Sequence, residues 1–182
     1  LTLQMKSVGE VMAIGRNFKE ALLKALRSLE ISRDSLEPRY TALEQDGRNL
    51  KEMLARPTFN RIWQIADAIR LGLSIEEIHQ LTRIDPWFLH QIEEVVQIEK
   101  GLQGQPLDPD RVRSAKEAGY SDRRIGRLAG RSEIEVARWR KEQKIVPVYK
   151  RVDTCGAEFE AYTPYFYSTY ESECEADPTD RK

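Results

Sequence analysis

Cysteine is scarce: Cys155 and Cys174 are the only two in the chain. Two are too few for the disulfide framework of a small secreted fold, so a reducing, cytoplasmic setting is expected. Reactive thiols need a base or a positive field nearby; no histidine follows either cysteine, and Glu171, Glu173 and Glu175 surround Cys174. Histidine is equally rare, with His79 and His90 on different predicted helices. A zinc site takes about four ligands, or three plus water, and no cysteine or carboxylate set stands at that spacing. No apolar run approaches the roughly 18–20 residues that cross a bilayer, and no basic segment followed by an apolar one opens the chain as a signal peptide would. Charge of one sign is missing too. The 29 Lys and Arg face 30 Asp and Glu, for a net charge of -1, which in total asks for neither nucleic acid nor an anionic membrane. Gly9 and Gly15 match neither phosphate-loop nor dinucleotide spacing.

What is present is helical. The 182 residues are 40% hydrophobic and 32% charged, with a mean hydropathy of -0.60. A chain of this size can hide roughly 70% of its unfolded surface. Residues 1–16 read as a loop or short strand. Asn17 then caps a helix whose Phe18, Ala21, Leu22, Ala25, Leu26 and Leu29 form one apolar stripe. Residues 31–42 contain Pro38 and read as irregular. A short helix over 43–55 ends before Pro57. Thr58 is the predicted cap of a helix to Leu71, stopped by Gly72. Ser74 with Glu77, and Ser132 with Glu135, are capping boxes. Asp85-Pro86 and Asp108-Pro109 each open a helix with proline at its first position; the first should run to about Lys100, before Gly101. Ser121 starts another, stopped by Gly130. Residues 101–107 form a linker.

Several of these signals recur 47 positions apart: Gly72 with Gly119, Ser74 with Ser121, Ile78 with Ile125, Leu81 with Leu128, Asp85 with Ser132, and Leu89 with Val136. The expected fold is therefore all-α: a multihelical, irregular array of short helices in two similar helical subunits, about 17–100 and 108–147. After Pro147 the helical stripe stops. Residues 148–170 hold five of the seven tyrosines and read as an extended segment that packs on something. Tyr162, Tyr165, Phe166, Tyr167 and Tyr170 are its candidate interdomain docking residues. Trp63, Trp87, Phe88 and Trp139 are assigned to the core. The sparse apolar positions Leu43 and Leu50 make the 43–55 helix the candidate self-association face, for which Leu50→Glu should lower association and leave helicity intact.

One stretch has the outline of a helix-turn-helix. Residues 121–143 place a turn near Gly130 before an Arg-rich helix, and residues 111–145 carry 11 Lys and Arg against 5 Asp and Glu. Against a nucleic-acid module, the second helix opens with Glu133 and Glu135, which suit a helix N-terminus and repel phosphates.

The run Met5-Lys6-Ser7-Val8-Gly9-Glu10-Val11-Met12-Ala13-Ile14-Gly15-Arg16, with Glu20-Ala21-Leu22 and Lys24-Ala25-Leu26-Arg27, resembles the large chain of carbamoyl-phosphate synthase. So do Arg83-Ile84-Asp85, Trp87-Phe88-Leu89 and Gln91-Ile92-Glu93-Glu94. Val148-Tyr149-Lys150-Arg151-Val152-Asp153-Thr154-Cys155, Ala157-Glu158-Phe159 and Tyr167-Ser168-Thr169-Tyr170-Glu171 match as well. The resemblance implies a piece cut from a longer protein, as a start at Leu1 also suggests. Residues 1–16 would be the tail of the preceding ATP-grasp (carboxyphosphate) half, and 17–147 the all-helical oligomerization or connection domain. Residues 148–182 would lead toward the second ATP-grasp half.

In such a parent, ATP, Mg²⁺, bicarbonate and glutamine-derived ammonia are used to make carbamoyl phosphate for arginine and pyrimidine synthesis. Its implied partners are the flanking ATP-grasp domains, a glutamine amidotransferase subunit or domain, and further copies of the chain. No catalytic, cofactor-binding or metal-ligating residue of the family has a matching position here. A contribution of Met5–Arg16 to ATP chemistry is the rival reading; closing the preceding fold is the favoured one.

Overall fold

Side-chain acceptors set where most helices begin. A computed structural model describes residues 10–29, 31–39 and 47–176. Among them are eight helices: α1 (Phe18–Ser28), α2 (Gly47–Ala55), α3 (Arg61–Arg70), α4 (Ile75–Thr82), α5 (Pro86–Leu102), α6 (Pro109–Glu117), α7 (Asp122–Ala129) and α8 (Glu133–Glu142). Asn17, Ser74, Asp85, Asp108, Ser121 and Ser132 each accept a hydrogen bond from a backbone N–H of the following first turn. Each satisfies a donor that the helix itself leaves unpaired.

Two boundaries differ from expectation. α3 is preceded by Asn60, not Thr58, and has no side-chain cap. Its first residue works in the other direction: the Arg61 guanidinium donates to Leu54 O at 2.8 and 3.0 Å and to Thr82 O at 3.1 Å, satisfying carbonyls at the ends of α2 and α4. α5 also runs through Gly101 to Leu102, because Leu102 is buried and holds the last turn in the core.

The 47-residue recurrence holds at the level of hydrogen bonds. Leu73 N–H donates to Ala68 O at 3.0 Å, and Tyr120 N–H to Ala115 O at 2.9 Å. Gly72 N–H reaches Ile69 O at 3.1 Å, and Gly119 N–H reaches Lys116 O at 2.9 Å. Both glycines have positive φ, +87° and +95°, a region that costs a side chain roughly 1–2 kcal/mol. So α3–α4–α5 and α6–α7–α8 are two copies of one unit. They share a single apolar core: Ile78 and Leu89 from one copy and Ile125 and Val136 from the other are all fully buried in it, together with Leu23 of α1.

The segment after Pro147 is extended, as expected, but it also pairs with itself. β1 (Val148–Arg151) and β2 (Phe166–Thr169) are antiparallel, in register from Val148↔Thr169 to Arg151↔Phe166.

Candidate interaction surfaces

The two ends of the described chain meet on α1. Glu20 is buried there although it is a carboxylate. It accepts from Arg16 N–H at 2.7 Å, from Thr169 Oγ1 at 3.1 Å and from Lys24 at 2.8 Å, which supplies the partners a buried charge requires. Lys24 Nζ also donates to Ile14 O at 2.9 Å and Ser168 O at 2.6 Å, and Arg16 pairs with Glu171 at 2.5 Å. Gly15 lies against α1 so closely that a Cβ there would stand 2.8 Å from Ala21 N. The entering run and the closing hairpin are thus pinned to the same helix. Of the Met5–Arg16 run, residues 5–9 lie outside the described residues, and the Arg16 guanidinium is held by Glu171.

Beside this clasp, Tyr170 places its ring 5.1 Å from Lys116 Nζ and 5.8 Å from the Arg140 guanidinium, an arrangement that favours the cations. Burial raises its hydroxyl pKa to about 12. Lys116 donates to Tyr120 O at 2.7 Å and Asp122 at 2.9 Å; burial still pulls its pKa below the usual lysine value. Tyr167 lies 5.7 Å from Lys24 Nζ. The expected docking residues therefore divide. Tyr167 and Tyr170 face their own chain, while Tyr162 (79% exposed), Tyr165 and Phe166 point outward.

One carboxylate accepts hydrogen bonds from both copies. Glu99 of α5 is buried and accepts from Ser35 Oγ at 3.0 Å, Arg70 of α3 at 2.7 Å, and Arg124 of α7 at 2.9 and 3.0 Å. Much of the positive charge over 111–145 is met in this way. Arg140 and Lys116 pair with Asp122, Arg123 with Asp34, and Arg127 with Glu37. Asp122 belongs to the basic stretch itself; Asp34, Glu37 and Glu99, drawn from elsewhere in the fold, offset part of its excess.

Two assignments need correction. Leu50, expected on a surface stripe, is 5% exposed: α2 is short, and Leu50 and Leu54 both turn into the core. Leu50→Glu would therefore unfold the helix's seat instead of testing an interface. Its companion Leu43 lies outside the described residues. Trp87 and Phe88, expected in the core, are 54% and 42% exposed. They sit on the first turn of α5, 4.9 Å apart between ring centroids, and Phe18 packs edge-on against them at 5.6 and 5.2 Å. Trp63, by contrast, is 3% exposed and donates to Ser35 O at 3.2 Å.

Among the described residues no group of three or more His, Cys, Asp or Glu is placed to hold a metal ion, and no helix is long and apolar enough to cross a membrane.

Comparison with known proteins gives a consistent match. The profile of the carbamoyl-phosphate synthetase large chain, oligomerisation domain, fits residues 10–144. The carbamoyl phosphate synthase large chain, N-terminal section, of Aquifex aeolicus is 54% identical over 172 residues, covering 94% of this chain and 30% of that protein. The carbamoyl phosphate synthase large chains of Myxococcus xanthus and Thermus thermophilus are each 53% identical, over 188 and 182 residues, covering all of this chain and 17% of theirs. The chain thus spans between 17% and 30% of the length of these relatives.

Proposed function

Because the chain belongs to the carbamoyl-phosphate synthetase large-chain family and is its oligomerisation domain, we propose that it connects two catalytic halves of a longer enzyme and supports self-association, contributing no catalytic residue of its own. In this reading residues 1–16 close the preceding ATP-grasp half, 17–147 form the connector, and 148–182 lead to the second half. The parent is a ligase that uses ATP and Mg²⁺ to build carbamoyl phosphate from bicarbonate and glutamine-derived ammonia, with an amidotransferase partner, in the cytoplasm. The observation that carries the reading is the profile match over 10–144. The clasp supports it: ion pairs and hydrogen bonds through Glu20, Lys24 and Arg16 hold the entry and exit segments on one helix, as a spacer with a set geometry requires. The outward Tyr162, Tyr165 and Phe166 are the proposed contacts toward the following half.

Light scattering during size-exclusion chromatography, over a hundredfold concentration range on this chain and on the full large chain, tests self-association. A molar mass rising toward the dimer in both supports an oligomerising role for this domain. A full chain that associates beside a strictly monomeric domain assigns association to other parts of the parent.

A further inference from the structure

We propose that the exposed cluster of Phe18, Trp87 and Phe88 is the seat of the part of the parent chain that precedes this domain. The proposal rests on family membership and on reading residues 1–16 as the end of that preceding part; it does not depend on self-association.

The cluster has the composition of an interface centre. Two large aromatics remain half exposed although a third ring packs edge-on against both. Tryptophan and other aromatics dominate interface energetics when a partner desolvates them. The next turns of α5 and α1 supply a polar rim: His90 lies 3.2 Å from Glu93, and Lys19 pairs with Glu94. An apolar centre within a charged rim is how protein interfaces are built.

Position selects the occupant. Phe18 is the first residue of α1, directly after the Arg16-Asn17 step by which the entering run joins the helix. That same run leaves Val11 and Met12 exposed as well, so the chain leading out of the domain carries apolar side chains without cover of their own. Whatever precedes is tethered within a few residues of the patch, and a short tether raises local concentration to the millimolar range. A second copy has no such advantage. The following part of the parent has its own exposed apolar strip in Phe159, Tyr162, Tyr165 and Phe166.

Hydroxyl-radical footprinting read by mass spectrometry on the full-length large chain tests this, with buried Trp63 as the internal standard for Trp87. The expected result is that Trp87 is oxidised as slowly as Trp63. That protection should survive dilution to the monomer, and should persist in a chain truncated after Lys182. Oxidation of Trp87 many times faster than Trp63 in the full chain, as their exposures of 54% and 3% here would give, overturns the proposal. Protection lost on dilution assigns the patch to a second copy, and protection lost on truncation assigns it to the following half; either also overturns it. Molar mass measured on the same samples reads self-association separately, so the two proposals fail independently.

Discussion

In the first copy of the repeated unit, α3–α5, the turn between the second and third helices ends on Arg83 in the left-handed region, φ 59°. The His79 ring donates from Nδ1 to Ile84 O at 2.7 Å. In the second copy, α6–α8, Gly130 replaces Arg83 with φ +67°, and Gly126 replaces His79. There the carbonyl equivalent to Ile84 O, that of Arg131, lies where a Cβ on Gly126 would be only 2.6 Å away. One copy holds its turn with a side-chain hydrogen bond and tolerates a strained residue. The other removes both side chains and lets backbone approach backbone. The stop glycines differ in the same sense. A Cβ on Gly72 would meet nothing within 4 Å, whereas one on Gly119 would stand 2.8 Å from Glu20 Cα and 3.0 Å from Glu20 O. Equal hydrogen-bond skeletons thus carry unequal packing: the second copy is wedged against α1 on one flank and its own third helix on the other.

The largest effect should come from the group the copies share. Glu99→Ala takes the shared acceptor from buried Arg124 and half-buried Arg70; Arg70 keeps Asp67 at 2.9 Å and Arg124 has only Glu37 at 3.8 Å, so the loss should be about 3–4 kcal/mol, toward the low end for a broken buried pair. Urea unfolding followed by far-ultraviolet circular dichroism measures it; a loss below 1 kcal/mol would mean the arginines find other partners and Glu99 does not couple the copies.

Next comes the contrast between the stop glycines. Gly72→Ala should cost only the left-handed strain, about 1 kcal/mol. Gly119→Ala adds a backbone clash that α1 must yield to, for a total of about 3 kcal/mol. Equal losses would show that α1 is not fixed on the α6–α7 turn. Gly126→Ala belongs between them at about 2 kcal/mol, its contact with Arg131 O offset by alanine's better helix propensity, and His79→Ala should lose about 1 kcal/mol with its hydrogen bond.

The parts of this fold that were legible in the sequence are the ones decided within four residues. Ser74, Asp85, Asp108, Ser121 and Ser132 cap because their oxygens reach a backbone N–H two or three positions on, and Gly72, Gly119 and Gly130 stop helices because positive φ suits them. What sequence reasoning missed depends on distant partners. Leu50 is buried by α3 and α4, not by its own helix pattern. Trp87 and Phe88 lie on an apolar stripe that looks like core, yet Phe18 of α1 covers them only in part. Tyr167 and Tyr170 divide from Tyr162 and Tyr165 only once β2 pairs with β1 and one face of the hairpin meets α1, Lys116 and Arg140. Trp87 did leave one readable signal: it follows Asp85-Pro86 in the first turn, where a helix is least enclosed.

The smallest effect tests whether the two closures are interchangeable. Arg83 is exposed, so replacing it by glycine removes left-handed strain at little cost in packing. The gain is partly offset by the greater freedom of glycine in the unfolded chain. Arg83→Gly should stabilise by about 0.5 kcal/mol, raising Tm by roughly 1–2 °C for a chain of this length. Gly130→Arg should lose about 1 kcal/mol, because a Cβ at that position meets nothing within 4 Å and only the backbone conformation resists it. The double exchange then places each copy's closing residue in the other. If the turns are the same structure, the two changes add, since the sites share no partner, and Tm falls by about 1–2 °C. A loss well above 1 kcal/mol for Gly130→Arg alone would mean that Gly130 is required by the close approach at Gly126. The second copy's turn would then be a single tight unit, with no exchangeable stop.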